Sequence, residues 1–500
     1  MIGSGENLEA QFSMESGTGR IIEDQPFFML VTGDWSADAT RKPLDNRSVT
    51  EVDRDNCDEV LARVAPVLDL EINGHRISLN FLSIDDFHPD RLFAQVPLFA
   101  ELRSLRSRLK SGDTFNEAAR EMRSRFDHVE PTAAVKPEPA VPDELPNDLL
   151  GQILSQPTGG ARPKSAVSGE LAGLLDELVR PHLVNVDEDE QRSMLDAVDK
   201  ASGDLMRAIL HDHKFRELEA AWRGLFFLVR RAETDANLKV FILDMTHDEL
   251  SENLKSESDL SETRLYDLIA GDPPYGPWAA VIGNYGFRPV IDDIAALIRV
   301  SKICAAAAAP FISHMRPEIL GVHSLADGAD PKTWNTSPDT AEGKLWSTLR
   351  SMPESEYLGM TIPRFLGRLP YGAETDPLET FQFEEFEDGP VHDKFAWVNC
   401  AFGCAALLTQ NFSANGWEIG TAFVQDLERL PVYTHEEGGQ TVYQPCAEVL
   451  LSHSAADALS EYGLMPLVTF KNTDHVRLTR FQSITDPPTV LRGRWRSGQS

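Results

Sequence analysis

The chain has 500 residues, 42% of them hydrophobic and 25% charged, the balance of a soluble globular protein too long for one ordinary core. Its 79 acids and 47 bases leave a formal charge of −32, which argues against nucleic acid as a principal ligand, since phosphate binding needs a concentrated basic surface. Five scattered cysteines, the lack of an early apolar leader and the lack of any ~20-residue apolar tract exclude a disulfide framework, a secretory signal and membrane insertion as expectations. A cytoplasmic setting follows from the same features.

In chain order, Leu8 to Met14 and Gly19 to Ile22 read as two exposed strands about a turn. Pro26 to Thr32 is the first core strand, and Asp55 to Val64 a short helix closed by Pro66. Val67 to Ile72 and Ile77 to Leu82 alternate around Asn73-Gly74, the dipeptide that favours a tight hairpin. From Asp85 a helix is expected through Leu109, with Leu92, Phe93, Val96, Phe99, Leu102 and Leu105 at helical spacing. A basic run, Arg103 to Lys110 with Arg120, Arg123 and Arg125, reads as a solvated face or a contact with an acidic partner. Residues 1–127 thus form a small α/β unit.

Between 128 and 168 prolines crowd the chain, the signature of a linker with little apolar surface to bury. Within it, 147–155 can form a short amphipathic helix with Leu149, Leu150, Ile153 and Leu154 on one side, a docking peptide or a segment folding back on its own domain. Residues 169–482 begin with helices (Leu171 to Val179, Glu188 to Leu210, Phe215 to Arg231), and then alternate strand and helix. The strands are Leu238 to Leu243 and Trp278 to Ile282; the helices are Glu249 to Leu254 and Val290 to Ala308. That order implies a mostly parallel sheet covered on both faces. A buried helix at Trp397 to Gln410 and short strands near Thr421 to Phe423, Ala447 to Leu451 and Leu467 to Phe470 complete it, followed by a basic tail over 483–500. The fold class is α/β.

A search for chemistry yields little. His211-Asp212-His213 would point its imidazoles about 200° apart on a helix, unsuited to one metal. Cys400 and Cys404 share a helix face, with no further ligands to make a zinc set. Ile282 to Gly286 follows a strand and precedes a helix, the place of a phosphate loop in α/β proteins, without the glycine spacing or the lysine one needs. The run Glu384, Glu385, Glu387, Asp388, interleaved with phenylalanines, reads as an edge strand, with paired-carboxylate catalysis as the rival. No catalytic, cofactor or metal residues are assigned, and the chain is read as non-enzymatic.

Several stretches carry a resemblance. Phe215 to Leu225, Tyr357 to Gly372, Ala305 to Ile312, Phe383-Glu384-Glu385 with Trp397, and Phe470 to Asp474 resemble the large sheath subunit (TssC, or VipB) of type VI secretion systems. Gly33 to Ser36, Lys42 to Leu44, Glu51 to Asn56, Ser83 to Phe87 and Gln95 to Pro97 resemble the small subunit (TssB, or VipA). The resemblance implies the two subunits joined in one polypeptide, acting by assembly as a sheath protomer or a sheath-end or baseplate paralogue. The alternative is an adaptor that binds sheath subunits or the disassembly ATPase without entering the sheath. Implied partners are sheath subunits, the inner tube, the baseplate and a ClpV-type ATPase, the last through Leu149 to Leu154. Leu8 and Phe12 would lie on a donor strand, while the acceptor strands beyond Asp474 are expected to be missing. Arg364 and Arg368 would brace an interface or pair internally.

Overall fold

The computed structural model describes residues 25–37, 41–126, 190–419 and 423–495. The expected segments Leu8 to Met14, Gly19 to Ile22, 147–155 and Leu171 to Val179 lie outside them. The first part contains β1 (Phe27–Gly33), β2 (Thr50–Val52), α1 (Cys57–Val64), the hairpin β3 (Val67–Ile72) and β4 (His75–Asn80), then α2 (Pro89–Gln95), α3 (Pro97–Lys110) and α4 (Gly112–Phe126). Asn73 and Gly74 turn the hairpin at φ 50° and 77°, the left-handed pair that matches strand twist. The single helix expected from Asp85 is broken. Pro97 has no N–H to continue a helix and holds Val96 extended at ψ 121°, so α3 starts anew.

After α5 (Glu190–Leu210) and α6 (His213–Val229) come β5 (Leu238–Asp244), α7 (His247–Ser256), β6 (Trp278–Phe287), α8 (Ile291–Ala307), β7 (Phe311–Met315), α9 (Ala341–Arg350) and β8 (Leu358–Ile362). Then follow β9 (Phe365–Leu366), β10 (Trp397–Val398), α10 (Cys400–Asn415), β11 (Asp426–Leu427), the hairpin β12 (Tyr433–Glu437) and β13 (Gln440–Gln444), α11 (His453–Glu461), β14 (Leu464–Thr469) and β15 (Val476–Leu478). Nine strands form one sheet in the order β11-β15-β14-β8-β7-β6-β1-β5-β2. The six from β14 to β5 run parallel, as the βα alternation implies.

β1 is not the centre of a small sheet of its own. It lies between β5 and β6, with Phe27 opposite Leu238 and Val31 opposite both Ile242 and Ile282. Its unbroken apolar run is explained by burial on both faces: Phe27, Met29 and Val31 enter one core, Leu30 the other. The first core also takes α5, α6, α10 and the β3–β4 hairpin; the second takes α7, α8, α9 and α11. Gly224 lets α6 approach α10, because a Cβ there would meet Phe402 Cδ2 at 2.5 Å.

Other expectations shift. The 282–286 segment is strand and not loop: β6 continues to Phe287, with a register shift between Ile282 and Gly286 where Ser313 and Asn399 donate to the Gly283 and Tyr285 carbonyls. Trp397 and Val398 pair with Leu366 and Phe365, and the helix begins only at Cys400, behind the Asn399 cap. Ala447 to Leu451 makes one bridge, Ala447 to Phe365. Residues 483–495, expected as a tail, lie on the body through buried Leu491 and Trp495.

Candidate functional site

The motif residues that stood out in the sequence meet at the joint between the two stretches. Trp35, just after β1, and Trp222 on α6 are both fully buried, with ring centroids 5.4 Å apart in an edge-to-face arrangement. The Trp222 indole N–H donates to the Trp35 carbonyl at 3.0 Å. Asp244, at the end of β5, accepts from the Trp35 and Ser36 backbone and from the Ser36 hydroxyl at 2.7 Å. Arg47 reaches across to the Asp244 carbonyl and to Glu249. Burial acts to raise the Glu249 pKa, but hydrogen bonds from Arg47 and the Thr246 N–H outweigh it and bring it to about 2.

A second set of contacts ties α2–α4 to the later stretch. Asp90 accepts the Glu379 and Thr380 N–H groups and the Thr380 hydroxyl, and Phe93 stacks on Phe381 at 4.8 Å. The basic run on α3 and α4 finds its acidic partner inside the chain: Arg106 grips Asp199 with two bonds of 2.6 and 3.0 Å, and Arg123 pairs with Glu190. Partly exposed pairs of this kind are each worth only about 0–1 kcal/mol. Their value is in fixing how the elements sit.

Arg364 and Arg368 both pair with carboxylates of their own chain. Arg368, 8% exposed, makes two-pronged contacts with two buried carboxylates: Nε to Glu219 at 2.7 Å and Nη1 to Glu385 at 2.7 Å, with second contacts at 3.2 and 3.1 Å. Glu219 also accepts from Arg223 at 2.8 Å, whose other end donates to the Tyr371 hydroxyl at 3.0 Å. Burial alone would raise the Glu219 pKa; Arg368 and Arg223 outweigh it and hold it below the usual carboxylate value. Arg364 pairs with buried Glu448, whose backbone N–H in turn donates to the Arg364 carbonyl. The physical reason is desolvation: carboxylates this deep must be paired.

The acidic run near Glu384 is a turn and not an edge strand. Glu385 points in to Arg368 and the Tyr371 N–H, Glu384 accepts from the Ala373 N–H at 2.9 Å, and Glu387 pairs with Arg207 at 2.9 Å. His211 ends beyond α5, Asp212 caps α6, and His213 lies outside on Glu217, so the two imidazoles are separated by the cap. Among the described residues no group of three or more His, Cys, Asp or Glu side chains is placed to hold a metal. Cys400 and Cys404 are buried, and burial pushes the Cys400 thiol up to about 12. Leu8, Phe12, Leu149, Leu150, Ile153 and Leu154 lie outside the described residues. Sequence reasoning missed Asp90, Asp244, Glu249 and Glu448. Of the buried acids, Glu219 and Glu385 stood inside quoted motifs.

Burial holds the His211 and His314 imidazoles neutral, each lowered to about 3, with Lys394 and nearby arginines adding to the effect at His211 and Arg364 at His314. Because the folded values lie below the unfolded one of about 6.5, this stability is present above that pH and is lost as pH falls from there towards 3. The expected slope between pH 6.5 and 5 is about 1–3 kcal/mol per pH unit. Urea melts at stepped pH check it, and a His211→Asn/His314→Asn variant should flatten the slope.

The comparisons agree with this architecture. Residues 192–485 match the VipB (EvpB) family, tail sheath N-terminal domain. Residues 7–129 match the VipA family of the type VI secretion system. The chain is 35% identical over 307 residues to the type VI secretion system sheath protein TssC1 of Pseudomonas aeruginosa, an alignment covering 59% of this chain and 61% of that protein. The chain therefore spans about 61% of the length of this curated relative.

Proposed function

The chain belongs to the family of type VI secretion sheath proteins, with a VipA-like and a VipB-like stretch in one polypeptide, and from that premise we propose that it is a structural component of a contractile tail that works by assembling with other sheath subunits. The observation that carries this reading is the shared sheet: β1 and β2 come from the VipA-like stretch and the other seven strands from the VipB-like stretch. Joining two partners in one chain turns their association into an intramolecular event, with an effective concentration on the order of mM for a flexible connection. The buried acids of the joint are held by guanidinium and backbone donors, an arrangement suited to bracing elements and not to moving protons. The tube, the baseplate and a ClpV-type ATPase are the further partners such a component would meet, and the cytoplasm is its setting.

The test is co-sedimentation and electron microscopy of the purified chain, alone and mixed with ordinary TssB- and TssC-type subunits. Incorporation into tubular or ring-shaped particles is expected; a chain that stays in the supernatant at every ratio contradicts the reading. Within the same proposal Leu8 and Phe12 lie on a strand donated to a neighbour. Replacing both with Asp should abolish co-sedimentation and leave the melting curve unchanged, and normal incorporation would remove the donor strand from the account.

A further inference from the structure

A sheet edge is a template for another chain unless something guards it. The nine-stranded sheet ends in β2 and β11, three and two residues long. The β3–β4 hairpin carries Asp69, Glu71 and Arg76, and the Gln95 side-chain amide caps its Asn80 edge by donating to the carbonyl at 2.6 Å and accepting from the N–H at 3.2 Å. The β12–β13 hairpin differs. Its five-residue strands pair only with each other among the described residues, joined by Gly438-Gly439 at φ 59° and 78°. Its base is anchored by Tyr433, 5.7 Å from the Phe395 ring, while Thr434, Glu436, Thr441 and Tyr443 are exposed. β12 bears Glu436 and Glu437; β13, Gln440-Thr441-Val442-Tyr443-Gln444, bears no charge and no proline.

Bond directions follow from the turn. In a two-residue turn of this type the flanking pair, Glu437 and Gln440, exchanges hydrogen bonds, and the pattern then alternates. Gln440, Val442 and Gln444 therefore bond inward to β12, whereas Thr441 and Tyr443 turn N–H and C=O outward. Among the described residues no hydrogen bond reaches those outward groups.

We propose that β13 is a self-recognition edge, pairing antiparallel with β13 of a second copy about a two-fold axis at Val442 to form a four-stranded sheet. Thr441 of each copy then exchanges bonds with Tyr443 of the other, four in all, and an aromatic side chain faces a β-branched one. Charge selects this strand. Two chains of net charge −32 repel, and β13 offers contact with no carboxylate at the joint, while β12 against β12 would crowd four acids together. Sterics select the second copy's β13 over its β12. Adding β12 would point both hairpins the same way with strands only ~4.8 Å apart, forcing the bodies to overlap; β13 against β13 points them apart. The contact closes on itself and does not propagate, so it stands independently of the sheath contacts proposed above.

The test uses the full chain with Val442→Cys. All five native cysteines are buried, so the new thiol is the accessible one. Across the axis the two Val442 positions form a non-bonded pair about 4.5 Å apart at Cα, within disulfide range. Mild oxidation should link this variant into a dimer about tenfold faster than Gln440→Cys, whose counterpart lies beyond that range. Sedimentation of the unmodified chain should show a monomer–dimer equilibrium, and Tyr443→Pro, which removes the outward N–H and the ring facing Thr441 but none of the bonds to β12, should weaken it about tenfold or more with an unchanged circular dichroism spectrum. Equal cross-linking of the two cysteine variants, a strict monomer at all concentrations, or a dimer indifferent to Tyr443→Pro would each overturn the proposal.

Discussion

Replacing Arg368 with methionine is expected to lower the unfolding free energy by about 3–5 kcal/mol, the cost of leaving buried carboxylates without a counter-charge. Glu219 and Glu385 are 0% and 1% exposed, and each accepts two hydrogen bonds from this guanidinium. Arg223 still reaches Glu219 after the change, but nothing else in the cluster offers Glu385 a charged donor at hydrogen-bond distance. Urea denaturation followed by circular dichroism reads the loss. Adding Glu219→Gln and Glu385→Gln to Arg368→Met should recover a substantial part of it, since uncharged amides remove the unpaired charge. A loss under 1 kcal/mol would mean that water reaches the carboxylates and that the cluster braces nothing.

Trp222→Ala is expected to cost about 3–5 kcal/mol, the range for deleting a large buried aromatic side chain. The indole fills the space against Trp35 and bonds to its carbonyl, so its loss opens a cavity and orphans an acceptor at the joint. Trp222→Phe keeps a ring and deletes the N–H, and should cost nearer 1–3 kcal/mol. The diagnostic readout is cooperativity. Calorimetry should show one transition, moved as a whole, because β1 is locked between β5 and β6. Two transitions, of which Trp222→Ala moves one, would contradict a shared core.

Local signals in the sequence were legible where physics is local. Asn73-Gly74 marked its hairpin, the Pro26 to Thr32 run marked a core strand, and the βα alternation marked a parallel sheet. The order of strands was not legible. β1 pairs with residues more than 200 positions away, and such non-local contacts leave no periodic trace in either partner. A strand buried on both faces reads the same in a small domain as at the middle of a nine-stranded sheet. The acidic run misled for a related reason: alternating Phe and Glu suggests an edge strand, and only the distant Arg368 and Arg207 turn Glu385 and Glu387 into ion-pair partners. Pro97 was visible but outweighed by the apolar spacing on either side of it, although its missing N–H decides the break.

The resemblance to sheath proteins rested on short motifs, and the structure gives those motifs a common physical task. Gly33 to Ser36 and Phe215 to Leu225 meet through Trp35, Trp222 and Asp244, and Tyr357 to Gly372 returns to the same helix through Arg368 and Glu219. These residues hold two sheath-type stretches as one body.

That single body is tested most directly by dividing it. Residues 1–127 and 169–500, co-expressed as separate chains, should purify together at one-to-one stoichiometry and melt in a single transition, because β1 completes the sheet that the second piece begins. Two pieces that elute apart, each folded and each with its own melting transition, would contradict it.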